Sequence, residues 1–302
     1  MSWLIFAFSG PVLWALSTHL DKYLIERYFK EGSVASLMVF TAVIGLLVMP
    51  FVWFFNPEVM AVDFRSAFLV ALSGVLYMTA IYFYLQALQS EEASTVAPFF
   101  QAAAVFGLGF GFFFLGEKIS PSQILGTLMI IGGSSLISFR FSRERRAFNK
   151  RLLVLMLSCA FAIALGSFIF KYFAIRDDFW PALFWSYCGD AVFGVFLLSF
   201  AANRRQLAKM LRTNTGAVVS INAANELINL GGGIANSYAY LLAPLGVVQA
   251  ISSTTSFFVL GFGILLSLFF PKLSAEKIGF GNVLQKTIAI VLVTAGVILV
   301  NK

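Results

Sequence analysis

Residues 108–119 read LGFGFFFLGEKI, and residues 260–278 return to the same phrase as LGFGILLSLFFPKLSAEKI. The quartet Leu108-Gly109-Phe110-Gly111 recurs unchanged as Leu260-Gly261-Phe262-Gly263, 152 positions later. Glu117-Lys118-Ile119 then recurs as Glu276-Lys277-Ile278, after a longer connection in the second copy. Nearer the N-terminus, Ala15-Leu16-Ser17-Thr18 precedes Lys22-Tyr23, and Ala164-Leu165-Gly166-Ser167 precedes Lys171-Tyr172 at a shift of 149. Low complexity can produce any one such match in a chain rich in Phe and Gly. Three in the same order define an internal repeat.

The composition names the solvent of that repeat. Apolar residues make up 60% of the 302 positions and charged residues 12%, against about 45–50% and 25% for a soluble domain. Phe alone fills 35 positions. A soluble fold of this length cannot hide so much apolar surface, so lipid must cover it. A spanning helix needs about 20 mostly apolar residues. Ten segments qualify: 3–25, 34–55, 67–88, 93–115, 121–139, 152–175, 180–201, 216–242, 245–270 and 283–300. The first starts almost at once, without a basic leader, and reads as a spanning helix rather than a removable signal. Ser120-Pro121 offers a cap and a first-turn proline to the fifth segment. Ser90-Glu91-Glu92 places a cap and two carboxylates at the start of the fourth, and Pro244 opens the ninth.

The sequence thus predicts an all-α membrane protein of ten transmembrane helices in two five-helix repeats. The first covers 1–139, a basic connection covers 140–151, and the second covers 152–302. Five is an odd number, so the second copy enters the membrane from the opposite side and the repeat is inverted. That construction lets a carrier alternate between inward- and outward-open states by rocking one half against the other.

The net charge of +7 is distributed as a membrane protein requires. Arg140, Arg143, Arg145, Arg146, Lys150 and Arg151 fill one connection, and Arg204, Arg205, Lys209 and Arg212 another. Both are odd-numbered connections, which hold most of the basic residues. The positive-inside rule places them in the cytoplasm and leaves both termini outside, in a multi-pass protein expected in a bacterial inner membrane. Anionic headgroups, not nucleic acid, are the partners this pattern fits. Cys159 and Cys188 both lie in apolar segments and read as small buried hydrophobes. Two thiols and one histidine make no closed zinc site, and no metal or other cofactor is expected.

A family resemblance is carried by Ala87-Leu88 through Pro98, by Phe114-Leu115-Gly116-Glu117-Lys118-Ile119-Ser120, and by Gln123, Gly126 and Gly132. These residues resemble the end of an EamA domain, the unit found twice in ten-helix members of the drug/metabolite transporter superfamily. The second half departs from the pattern, with Phe270-Pro271-Lys272 where the helix-ending Gly-Glu would stand and the acid delayed to Glu276. The resemblance implies a carrier fold with a central cavity, and export as the direction. It implies no one substrate, because members handle amino acids, sugars, nucleotide derivatives, cations and drugs.

The eighth segment is the least lipid-like. Asn222, Asn225, Glu226, Asn229, Gly233, Asn236 and Tyr240 follow one another at spacings of 3, 1, 3, 4, 3 and 4, which places them on one helical face. Lipid cannot satisfy such a stripe, so it faces the bundle interior as a cavity wall or as interhelical hydrogen bonds. At a shift of 152, Asn225, Asn229 and Asn236 correspond to Ser73, Tyr77 and Tyr84 of the third segment. Glu226 corresponds to Gly74, so this charge belongs to one half only. Gln249 and Ser253 of the ninth segment form another polar face, with Gln101 as the repeat partner of Ser253. These residues are the expected substrate-binding set. Glu226 and Asp190 stand near mid-helix, where a carboxylate can couple to protons, hold a substrate ammonium, or be neutralised in a structural pair. Lys22 and Lys171 read first as snorkelling residues near helix ends, with a symmetric gating role as the alternative. Glu117 and Glu276 are expected to bind loop backbone or a basic partner.

The reading that unites these features is a secondary transporter of a small polar or amphipathic metabolite, amino-acid-like or related, working by alternating access as an exporter with proton coupling. A multidrug or organic-cation efflux carrier is the nearest alternative, and a non-transporting membrane assembly protein is the alternative of another class. An enzyme would need a nucleophile–base set or a metal cluster, for which one histidine and few deep acids provide no convincing material. Oligomeric state is not legible.

Overall fold

The computed structural model describes residues 2–28, 34–90, 97–138, 150–213, 215–269 and 281–301. Among them there is no strand. The helices are α1 Ser2–Tyr28, α2 Val34–Phe55, α3 Phe64–Ser90, α4 Gln101–Phe114, α5 Pro121–Ser138, α6 Lys150–Arg176, α7 Phe179–Ser199, α8 Ala201–Thr213, α9 Thr215–Leu242, α10 Leu245–Ser252, α11 Thr255–Phe269 and α12 Gly281–Val300. Helices answer both the composition and the medium, since in hydrocarbon each backbone N–H and C=O must bond within its own segment. Five stretches among the described residues are long and apolar enough to cross a bilayer: Trp3–Leu20, Phe64–Ala87, Lys150–Arg176, Phe179–Ser199 and Leu245–Gly263.

Two elements depart from the sequence reading. The connection after α7 contains a helix of its own. Phe200 breaks the chain in an extended conformation, and α8 then runs across the ends of α2, α7 and α9. Asn203 Nδ2 and Arg204 Nη1 donate to the carbonyls of Leu197 and Leu198, closing the C-terminus of α7. The ninth segment, expected as one helix over 245–270, is broken between α10 and α11. Ser253, Thr254 and Thr255 each turn a hydroxyl back onto the carbonyl three residues earlier, those of Ala250, Ile251 and Ser252. Three such bonds in succession satisfy the carbonyls that the broken ladder releases. The fourth segment is irregular at the matching place, with a 3-10 turn at Ala97–Phe100 before α4 begins at Gln101. Gln101 and Ser253 are repeat partners, so both copies are interrupted at one level. Ser90 ends α3, while Glu91 and Glu92 of the expected cap and the acid Glu276 lie outside the described residues.

Local signals hold where they are described. Ser120 and Gln123 form a reciprocal capping box at α5: Gln123 N donates to Ser120 Oγ at 3.2 Å and Ser120 N to Gln123 Oε1 at 3.1 Å. Asp63 caps α3 by accepting from Ser66 N at 3.0 Å. Cys159 and Cys188 are free thiols.

The helices pair across the two halves: α1 with α9, α3 with α6 and α7, α2 with α7, α4 with α10, and α5 with α12. The α3–α7 contact is the tightest in backbone terms. A Cβ on Gly74 would stand 2.0 Å from the Ser186 carbonyl oxygen, and one on Gly189 would stand 1.8 Å from that of Ala71. Only glycine allows this approach.

The apolar core is uneven along the bundle. At the end that carries the even-numbered connections, one buried cluster joins Ala7, Val70, Phe170, Phe173, Phe179, Leu183, Ala239, Leu245 and Val248. The 57–60 turn is packed there as well, with Val59 fully buried and its carbonyl accepting from Trp185 Nε1 at 2.9 Å. Toward the other end the described core is divided. Ala80, Ala87, Leu152, Met156 and Cys159 form one cluster between α3 and α6, and Met38, Val39, Ala42, Met78 and Leu197 another among α2, α3 and α7.

Candidate functional site

The stripe on α9 points inward. Asn222, Asn225, Glu226, Asn236 and Tyr240 are buried, while Ala224, Leu227, Tyr238 and Leu242 of the opposite face are exposed. Asn229 is half-buried. The triple glycine divides its work: Gly231 and Gly232 face Leu13 and Trp14 of α1, and Gly233 leaves room for the Tyr187 hydroxyl of α7.

Asp190 of α7 occupies the slot opened by Gly74 of α3, where a Cβ would lie 2.9 Å from Asp190 Oδ1. That oxygen is buried and makes no hydrogen bond. The charge acting on Asp190 is that of Glu226, reaching across from α9. Gly74 stands 152 positions before Glu226, the shift of the sequence repeat, and α7 fills the hole that Gly74 leaves with an acid of its own. Two buried carboxylates on different helices thus interact electrostatically.

Tyrosines surround them. Tyr187 precedes Asp190 by three residues on the same face of α7, and its hydroxyl feels both acids and Tyr77. Tyr77 is 41% exposed, yet it interacts electrostatically with Asp190, Glu226 and Tyr240 on two other helices. Its open side therefore faces the space between helices, not lipid. Tyr187 was missed by the sequence reading. Its spacing from Asp190 was the available signal.

The remaining expected residues fall into three groups. Asn236 accepts from Ser252 Oγ at 2.7 Å, and Tyr240 accepts from Ser167 Oγ at 3.3 Å, so this part of the stripe links α9 to α10 and α6. Gln101 and Gln249 are buried on the facing helices α4 and α10, and Gln101 Oε1 makes no hydrogen bond. Ser73 is spent on helix contact, donating to Val70 O and lying 3.2 Å from Ser186 Oγ. Ser253 is spent on the break in its own helix, and Tyr84 stacks edge-on against Phe100 at 4.9 Å. Electrostatic interactions link Glu226, Tyr77 and Asp190, Asn222 is buried one turn from Glu226 on α9, and Gln101, Gln249 and Asn236 lie nearer the α4–α10 contact.

A second polar cluster lies at the even end. Leu115 N and Glu117 N both donate to Gly111 O, and Gly116 takes the positive φ of 65° that this helix ending needs. The turn folds Glu117 back over Gly111, whose missing Cβ makes the space. Glu117 then accepts from Leu245 N at 3.0 Å and pairs with Lys171 Nζ at 2.5 Å. Lys171 also donates to Ala243 O at 2.7 Å. The expected partners of Glu117, loop backbone and a base, are both present. The snorkelling expected of Lys171 is not: its ammonium turns inward and the residue is 4% exposed.

Residues 1–139 match the model of the EamA-like transporter family. A solved crystal structure superposes with a TM-score of 0.66 at 16% identity, over 99% of this chain and 96% of that chain, which shows a shared fold. No curated protein matches the chain in sequence. Among the described residues the protein is all-helical, with five helices long and apolar enough to cross a bilayer, as a multi-pass membrane protein requires, and the family match points to a transporter.

Proposed function

We propose that this chain is a secondary transporter, not an enzyme, that exports a small polar or amphipathic metabolite by alternating access. Its ten segments span the membrane as two inverted five-helix repeats, 1–139 and 152–302, joined by the basic connection 140–151. The odd connections face the cytoplasm and both termini lie outside a bacterial inner membrane. The solute sits among Glu226, Asn222, Asn225, Asn229, Tyr77 and Asp190, with Gln101, Gln249, Asn236, Ser73, Tyr84 and Ser253 completing or supporting the cavity wall. Glu226 and Asp190 couple movement to protons.

One observation carries the reading. Two buried carboxylates on different helices, Asp190 and Glu226, interact electrostatically, and Asp190 Oδ1 is left without a hydrogen bond. A scaffold gains nothing from such an arrangement, because an unsatisfied buried acceptor costs about 1–3 kcal/mol. A carrier uses it, since the missing partner arrives as a proton or a solute donor.

The test is counterflow and proton-gradient-driven uptake in proteoliposomes, across a panel of amino acids, polyamines, sugars and organic cations. For a transported solute, Glu226→Gln and Asp190→Asn should retain exchange while losing accumulation against a gradient. Transport unchanged by both substitutions removes the acids from the mechanism. A panel in which nothing moves counts against the carrier itself, and transport confined to organic cations favours the efflux alternative.

A further inference from the structure

Resting on that carrier reading, we propose that Glu117, Lys171 and the backbone of residues 243–245 form the gate that closes the even end of the bundle. The ties cross between the halves. Glu117 belongs to the α4–α5 connection of the first half, while Lys171, Ala243 and Leu245 belong to α6 and the α9–α10 connection of the second.

The position of the cluster gives it this role. Outside it is a recess of about 500 Å³ lined by Phe114, Lys118, Tyr172, Arg176 and Leu242 among others, with Glu117 and Lys171 in its wall. Inside it, one turn deeper on α6, Ser167 Oγ bonds the hydroxyl of Tyr240. Tyr240 lies one turn from Asn236, which is tied to Ser252. The order from outside inward is recess, ion pair, Ser167–Tyr240, and then the polar face of α9. The side chains of Lys171 and Glu117 are 6% and 11% exposed, so the pair forms the floor of the recess, between it and the Ser167–Tyr240 contact.

Chemistry makes it a gate and not a weld. Three bonds close it together: the ion pair, Lys171 to Ala243 O, and Leu245 N to Glu117. When the halves rock apart at this end, water entering from the recess solvates the separated charges, so opening does not strand them in hydrocarbon. A patch of interlocked Leu or Phe would have no such compensation.

The experiment is thiol accessibility in whole cells or oriented vesicles, in a chain whose Cys159 and Cys188 have been replaced by Ala. A Ser167→Cys thiol should react slowly with a membrane-impermeant maleimide presented at the even end. Adding Glu117→Gln, or Lys171→Met, should raise that rate by at least about tenfold, a small part of what breaking a buried pair can release. Lys171→Arg, which keeps the pair, should leave it slow. An Ala87→Cys thiol, buried between α3 and α6 toward the other end, should change less than about twofold, the scale of a distant uncoupled site. The gate is overturned if the Ser167→Cys rate ignores both substitutions, if both thiols become reactive together, or if Lys171→Arg behaves as Lys171→Met. Labelling needs no solute. A failed transport panel would thus count against the carrier reading while leaving the closure result to be read by itself.

Discussion

Glu117 is a half-buried carboxylate and Asp190 a buried one, and their surroundings treat them in opposite ways. Glu117 meets an ammonium, a backbone N–H and a glycine shaped to receive it. Asp190 also sits in a glycine slot, but the charge it faces is a second carboxylate, and one of its oxygens bonds to nothing. Burial alone therefore does not say what a membrane acid is for. The first is held in a completed network that ties the two halves. The second is incomplete in a way that a proton or a solute could complete.

This contrast can be broken by experiment. The largest effect on stability should come from Glu117→Gln, which leaves the Lys171 charge buried without its counter-ion. Thermal or denaturant unfolding in detergent should show a loss of about 3–5 kcal/mol. Adding Lys171→Met to that variant should recover part of the loss, and a double-mutant cycle should give a coupling of about 1–3 kcal/mol. Additivity of the two substitutions would deny that the pair acts as a unit.

Next in size is Gly74→Ala. Its Cβ would collide with the Ser186 carbonyl and crowd Asp190, so α3 and α7 must part, at about 1–3 kcal/mol. The same substitution should depress transport more than its stability loss accounts for, because it moves Asp190. Asp190→Asn should by contrast change stability by less than about 1 kcal/mol in either direction, since no hydrogen bond of Oδ1 is lost. A large destabilisation there would move Asp190 into the same class as Glu117 and remove it from the proposed mechanism.

The smallest effect concerns an acid outside the spans. The hydroxyl and N–H of Ser66 hold the Asp63 carboxyl below the usual carboxylate range. A carboxyl depressed in the folded state adds stability above its unfolded pKa and loses it as pH falls through the folded value. Asp63→Asn should therefore melt slightly below wild type at neutral pH, and the two curves should converge in acid.

Much of this arrangement was legible in the residues. Hydropathy placed helices over ten segments, the repeat paired Gly74 with Glu226, and the spacing of the asparagines set them on one inward face. What escaped has particular causes. Helix α8 has too many charges to register as a span, and its role as a surface helix depends on which helix ends it crosses. The break at Ser253-Thr254 was hidden because serine and threonine read equally well as a polar face and as a bend. Ser73 and Ser253 seemed like cavity donors, but their hydroxyls bond to their own helices, which a count of polar residues cannot reveal. Lys171 was read as snorkelling because an amine near a helix end usually is. Its partner lies 54 positions earlier, in the other half.

The sequence by itself determined the medium, the helical class and the face of α9 that must avoid lipid. Each of these follows from properties summed along the chain, hydrophobic area and helical period, which need no knowledge of neighbours. The tertiary structure alone decided which acid is paired and which is not. That choice depends on distances of a few ångströms between helices far apart in sequence, where Coulomb energy and hydrogen bonding change from decisive to negligible.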